Sequence, residues 1–205
     1  MIRLGLCCIF RAEPIKFRQT TAAALLKTTR ATQLEKLAEI CRANLDNLLR
    51  ALHWCRAHQI GAFRVLSPLF PRMTHPEVGY GLEELPGSQG LADLCRQIRS
   101  FRKANDLRLS LHPDQFNVLS SPHPTVIDNT IRELEYQGLL AELIGAEVIN
   151  IHAGGVYGDK PEALKRLMKN VGQLSARVRT RLSLENDDRS FTPADLLPIC
   201  RQLEV

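Results

Sequence analysis

Leu107–His112 reads LRLSLH, Val148–His152 reads VINIH, and Leu182–Glu185 reads LSLE. In each run apolar and polar residues alternate with a period of two, the pattern of a strand that turns one face to a core. Leu107, Leu109 and Leu111 take one face of the first run and Ser110 and His112 the other. Ile149 and Ile151 oppose Asn150 and His152, and Leu182 and Leu184 oppose Ser183 and Glu185. Each run ends on a metal-ligand residue type, always on the polar face. Parallel neighbouring strands bring the three side chains to one rim, where two imidazoles and a carboxylate suit zinc, manganese or iron. Singly, such a histidine is more often a hydrogen-bonded structural residue, and the glutamate could cap a turn. Three coincidences at matching positions favour a metal site.

Working outward, strand and helix patterns alternate along the chain. Ile2–Cys8 is a short apolar run, and Thr32–His58 carries Leu34, Leu37, Leu45, Leu48, Leu52 and Cys55 at helical spacing. Ile60–Leu66 reads as a strand and Leu91–Ala104 as a helix. Pro124 and Thr125 open another helix, with Ile127, Ile131, Leu134, Leu140 and Leu143 on its apolar side. A strand over 147–152, a helix over Pro161–Val178 and the strand 182–185 follow. A last helix starts near Thr192–Pro193, an N-cap followed by a proline suited to the first turn. Five strand–helix units in succession imply right-handed crossovers and a parallel sheet. Ligand types at three successive strand ends favour a (β/α)8 TIM barrel over a doubly wound sheet, which places its site at one switch point. The expectation is an α/β chain, 1–205 as a single domain, forming the N-terminal part of a TIM barrel truncated after about five units. Such a piece alone is expected to be marginally stable and weakly active.

The 205 residues are 44% hydrophobic and 24% charged, as in an ordinary globular domain. No apolar run reaches membrane-span length, and MIRLGLCCIF is too short and is interrupted by Arg3, so neither a span nor a signal peptide is expected. Six cysteines without CxxC spacing read as reduced thiols of a cytoplasmic protein. The net charge of +5 is compatible with nucleic acid without demanding it. Its distribution says more. Arg11, Lys16, Arg18, Lys27 and Arg30 face a single nearby acid, Glu13, with Phe10 and Phe17 among them. Such a segment can contact phosphates and stack on bases, or be a solvated loop with packed phenylalanines.

Three loops add candidates. After His112 come Pro113, Asp114, Gln115 and Phe116. Gln115 and Phe116 could wedge into a base stack, although the residues alone favour Phe116 packing under its own loop. His75, in RMTHPEVGYG, could position a phosphate or handle a proton beside a metal cluster. The glycine-rich run from His152 to Lys160 could receive a phosphate on its amides and on Lys160, but matches no nucleotide fingerprint.

The ordered set LGL (4–6), THP (74–76), LHPDQF (111–116), INIHAGGVYGDK (149–160) and LENDD (184–188) resembles the UV damage endonuclease family of DNA repair. The resemblance implies a (β/α)8 barrel with a divalent metal cluster, usually manganese with zinc as the alternative, that cuts duplex DNA 5′ to UV photoproducts. It implies His112, His152 and Glu185 as metal ligands, with Glu185 bridging, and His75 and Glu185 as catalytic residues. Gln115 and Phe116 become the pair inserted at the lesion, with Arg11, Lys16, Arg18 and Lys160 as DNA contacts of a monomer. Three departures stand out. Phe116 replaces the family's usual tyrosine, Leu6 and Phe10 occupy the stretch where a tyrosine and an asparagine are usual, and the ligands expected from strands six to eight are absent. Two rivals remain, a metal-dependent sugar isomerase or epimerase and an inactive DNA-binding remnant. The basic segment and Gln115–Phe116 argue against the first.

Overall fold

The computed structural model describes residues 2–187 and 189–205; Asp188, the last residue of LENDD, lies outside them. The chain divides into two compact units. The first runs up to Ser110 and includes Leu143–Ala146; the second comprises Leu111–Glu142 and Glu147–Val205. Five strands lie in one sheet in chain order.

In the first unit, β1 (Gly5–Cys7) pairs in parallel with β2 (Ala62–Val65), Leu6 opposite Phe63. Between them come the one-turn α1 (Ala22–Leu25) and the long α2 (Arg30–Ala57), and a 3-10 turn (Leu82–Glu84) and α3 (Ser88–Ala104) follow β2. Thr29 caps α2 by accepting from the amide of Thr32 at 3.3 Å. Leu37, Leu45, Leu48, Leu52 and Cys55 are buried, as their spacing predicts, together with Cys41, while Leu34 in the first turns is only half-buried. Each leucine stabilises the unit by about 1.5–3 kcal/mol through the area it removes from water. Burial lifts the thiols of Cys41 and Cys55 to about 11 and that of Cys95 to about 12, so all three stay protonated.

The basic segment is fastened to α2 by a buried asparagine. The Asn44 side chain accepts from the Arg18 amide at 2.7 Å and donates to the carbonyls of Arg18 (3.0 Å) and Leu69 (2.9 Å). Phe10 packs edge-on against Trp54, with ring centroids 5.2 Å apart.

β3 (Arg108–Leu111) is shorter than its sequence pattern. The strand stops before His112 because Pro113 has no N–H with which to continue a ladder. α4 (Pro124–Ile144) leads to β4 (Val148–His152), α5 (Lys160–Val171), α6 (Ala176–Arg179), β5 (Leu182–Glu185) and α7 (Pro193–Leu203). β4 and β5 pair in parallel with Asn150 opposite Ser183 and His152 opposite Glu185. Ile149, Ile151 and Leu182 are buried, while their polar neighbours are half-exposed. The single helix expected over Pro161–Val178 is two helices. Glu135 of α4 accepts from the amide (2.8 Å) and hydroxyl (2.7 Å) of Ser175, pinning that residue outside a helix. Gly172 caps the end of α5 at the break.

Asn44→Ala removes three hydrogen bonds and strands the buried groups they satisfied. It is expected to lower stability by about 2 kcal/mol in urea unfolding; an unchanged midpoint would show that this attachment contributes nothing.

Candidate metal centre

Among the described residues, His112, His152 and Glu185 offer ligand atoms that all lie within 4.8 Å of one another. All three belong to the second unit. His152 and Glu185 meet because they are register partners at the carboxyl ends of β4 and β5. His112 is the first residue past β3, and its Nε2 lies 2.9 Å from Glu185 Oε2. Its Nδ1 donates to the Pro113 carbonyl at 3.0 Å, which turns Nε2 toward the carboxylate. His152 Nδ1 stands 3.9 Å from Glu185 Oε1, and the two imidazole centroids are 5.0 Å apart.

A fourth side chain completes the group. Asn150, two residues before His152 on the same face of β4, donates its amide to Glu185 Oε2 at 2.7 Å. Burial pushes the Glu185 carboxyl up, but the hydrogen bonds from His112 and Asn150 and the nearby histidine charges outweigh it and hold the group below its ordinary range. The glutamate is therefore an anion at neutral pH. Ligands about 2.0–2.2 Å from one divalent ion lie roughly 3–4 Å apart, so this donor set fits such an ion with a small contraction. A histidine that donates its remote N–H to a carbonyl and a carboxylate held by an amide are the supporting contacts that metal ligands usually carry.

The turn after β5 is built by Asp187. Its carboxylate accepts from the amides of Ser190, Arg189 (2.6 Å) and Phe191 (3.4 Å), and the first two of these hold it below the usual carboxylate range. It shapes the turn and is not part of the ligand cluster.

The loop after His112 stands out from the surface. Asp114 Oδ1 accepts from the Phe116 amide at 3.0 Å and the Asp114 carbonyl accepts from Asn117 at 2.9 Å, which closes a tight turn. Gln115 and Phe116 sit at its tip, and Phe116 is 77% exposed. The expectation from the residues alone, that Phe116 packs under its loop, is reversed, because the Asp114 turn sets the residue at an exposed tip.

The phosphate cradle expected at the start of α5 meets a different arrangement. Asp159 caps α5 by accepting from Glu162 at 3.0 Å, and Lys160 Nζ pairs with Asp195 Oδ2 at 3.0 Å. The helix end and the lysine are thus already matched to carboxylates.

In the first unit, His75 Nδ1 accepts from the amides of Glu77 (3.2 Å) and Val78 (3.4 Å), which places the ring proton on Nε2. Arg11 and Lys16 are exposed, whereas Arg18 pairs with Glu39 at 2.6 Å. Asn150 was visible in the sequence only as a polar residue on the ligand face; the register of β5 gives it a partner.

A parallel α/β chain with two imidazoles and a carboxylate gathered at its strand ends defines the class to which comparison can be made. The profile of the family described as UV-endonuclease UvdE matches residues 2–205, and the chain belongs to that family. It is 35% identical over 188 residues to the UV DNA damage endonuclease of Bacillus cereus (strain Q1), covering 90% of this chain and 58% of that protein. The corresponding protein of Bacillus thuringiensis subsp. konkukian (strain 97-27) is 34% identical over the same shares. The chain thus spans 58% of the length of these curated relatives. The crystal structure of SacUVDE superposes with a TM-score of 0.88 at 28% identity, over 100% of this chain and 68% of that one. Endonuclease IV from Thermus thermophilus shares the fold, with a TM-score of 0.51 at 16% identity over 75% of this chain and 54% of its own. Among the described residues no helix is long and apolar enough to cross a membrane.

The amide of Thr192 and the Lys160 ammonium draw the Asp195 carboxyl from 3.8 down to about 2. A carboxyl depressed on folding adds stability that is complete above its unfolded value and lost as pH falls through the folded one. Asp195→Asn is therefore expected to be less stable than the parent at pH 7, with the difference closing between about pH 4 and pH 2. Melting temperatures across that range test it, and a gap that persists at pH 2 would refute the assignment.

Proposed function

We propose that this chain carries the damage-probing and part of the metal-binding machinery of a DNA repair endonuclease that incises duplex DNA 5′ to UV photoproducts. The observation that carries the reading is the convergence of His112, His152 and Glu185 in a chain of the UV-endonuclease UvdE family. His112 and His152 are the imidazole ligands and Glu185 the bridging carboxylate. Manganese fits this nitrogen and oxygen donor set, with zinc as the alternative. When bound, a divalent ion supplies Lewis acidity that activates water near neutral pH and offsets charge on a phosphodiester.

The protein's own groups do the rest. The Pro113 carbonyl orients the His112 ring so that Nε2 faces the cluster, and Asn150 fixes the orientation of Glu185. His75, with a proton on Nε2, serves as a donor to a phosphate oxygen. Gln115 and Phe116 are the wedge. A lesion lowers the energy needed to unstack the duplex, so an exposed ring backed by an amide selects damage through deformability. Arg11, Lys16 and Arg18 add affinity independent of sequence that falls with salt, while Lys160 contributes less because Asp195 offsets its charge. The protein acts as a cytoplasmic monomer.

His112→Ala is expected to weaken manganese binding in a calorimetric titration and to abolish whatever manganese-dependent nicking of UV-irradiated plasmid the parent shows. Manganese affinity equal to that of the parent would sink the ligand assignment. Asn150→Ala keeps every ligand but releases the glutamate, and is expected to weaken manganese binding by about tenfold with the fold retained by circular dichroism. Unchanged metal affinity would leave Asn150 without this role.

A further inference from the structure

Seven phenylalanines, three tyrosines and one tryptophan are present. Among the described residues, just two of them are exposed, Phe116 and Tyr157. Both lie in the second unit, on the loops that leave β3 and β4, each a few residues past a histidine of the cluster. Phe116 already has a role in the reading above. Tyr157 has none, although its ring is 47% exposed and its backbone is held at φ +51°. A bulky residue in the left-handed region carries strain that glycine would not. Such strain persists where the surroundings impose it, and functional loops are where it gathers.

The loop that carries it is held in place. Gly154, at φ +94°, packs so closely that a Cβ would lie 2.3 Å from the Val118 side chain. Ser120 donates its hydroxyl to the Gly155 carbonyl at 3.2 Å, and Asn170 of α5 donates to the Leu119 carbonyl at 2.8 Å. Arg166 of α5 donates its Nε to the Ser120 carbonyl at 2.9 Å and stands over the Tyr157 ring, 5.9 Å from its centroid. The two aromatic loops are thus tied to each other and to one helix. The Tyr157 ring has the Arg166 guanidinium over one face and Gly155 alongside, and about half of the residue is left to solvent.

We propose that Tyr157 is a second stacking contact for DNA, working beside Phe116 on the same pair of interlocked loops; this rests on the DNA-directed reading above. The ring offers its exposed part to a nucleobase, its hydroxyl can bond a base edge or a phosphate, and Arg166 adds positive charge beside it. A ring kept only for packing would not be half in water on a strained backbone.

Tyr157→Gly separates the two roles, since it relieves the backbone while deleting the ring. Fluorescence anisotropy with a labelled duplex bearing a single thymine dimer is compared for the parent chain, Tyr157→Gly and Phe116→Ala, with melting temperatures measured alongside. The proposal predicts a melting temperature for Tyr157→Gly equal to or above the parent's, and duplex binding weakened about tenfold. It also predicts that the duplex slows nitration of Tyr157 by tetranitromethane severalfold; Tyr80 and Tyr136 are buried and give little background. Parent-like binding by Tyr157→Gly, with Phe116→Ala impaired, overturns the proposal and leaves the broader reading standing. If the parent chain binds no duplex, both fall together. If Tyr157→Gly lowers the melting temperature as well, nitration of the parent chain decides: protection by DNA supports the contact, and equal rates with and without DNA overturn it.

Discussion

The pairing register of β4 against β5 is the constraint on which the site depends. Side chains alternate along a strand, so a slip of one residue would move His152, Asn150 and Glu185 to the opposite face. Burial of Ile149, Ile151 and Leu182 forbids that slip, because it would expose those residues and bury the polar set. Hydrophobic packing on one side of the sheet thereby holds a polar cluster together on the other. The cluster costs solvation to assemble, which is offset by two short hydrogen bonds to Glu185 Oε2, at 2.9 and 2.7 Å.

Around this cluster the loops divide into groups already satisfied within the protein and groups left to solvent. Asp159 caps α5, Asp195 pairs with Lys160, and Asp187 gathers three amides, so these charges serve the architecture. Glu185 is an anion whose partners are two imidazoles and an amide, none of them a fixed cation of the lysine or arginine kind. Phe116 and Tyr157 are the other unsatisfied element, two rings in water on loops braced from below.

The three ligand strands could be read from the chain because a period of two with branched and leucine side chains admits few other structures. Thr192 and Pro193 likewise announced the last helix, since a hydroxyl cap and a proline in the first turn act locally. What failed to show were effects decided by distant partners. The helix over 161–178 breaks because Glu135, 40 residues away, captures Ser175. The exposure of Phe116 follows from the Asp114 turn, which composition does not carry. Asn150 is any polar residue until β5 places Glu185 within 2.7 Å.

The sequence by itself determined the α/β alternation, the faces of the strands and which three side chains stand at the strand ends, because each rests on periodicity and residue chemistry within a few positions. Tertiary structure alone decided which nitrogen of His112 meets the carboxylate, that Asn150 holds it, that Lys160 is matched by Asp195, and that Tyr157 stands on a strained backbone over Arg166. Those outcomes depend on distances of a few ångströms between residues tens of positions apart. Pairing of strands and packing of loops create such distances, and no local pattern encodes them.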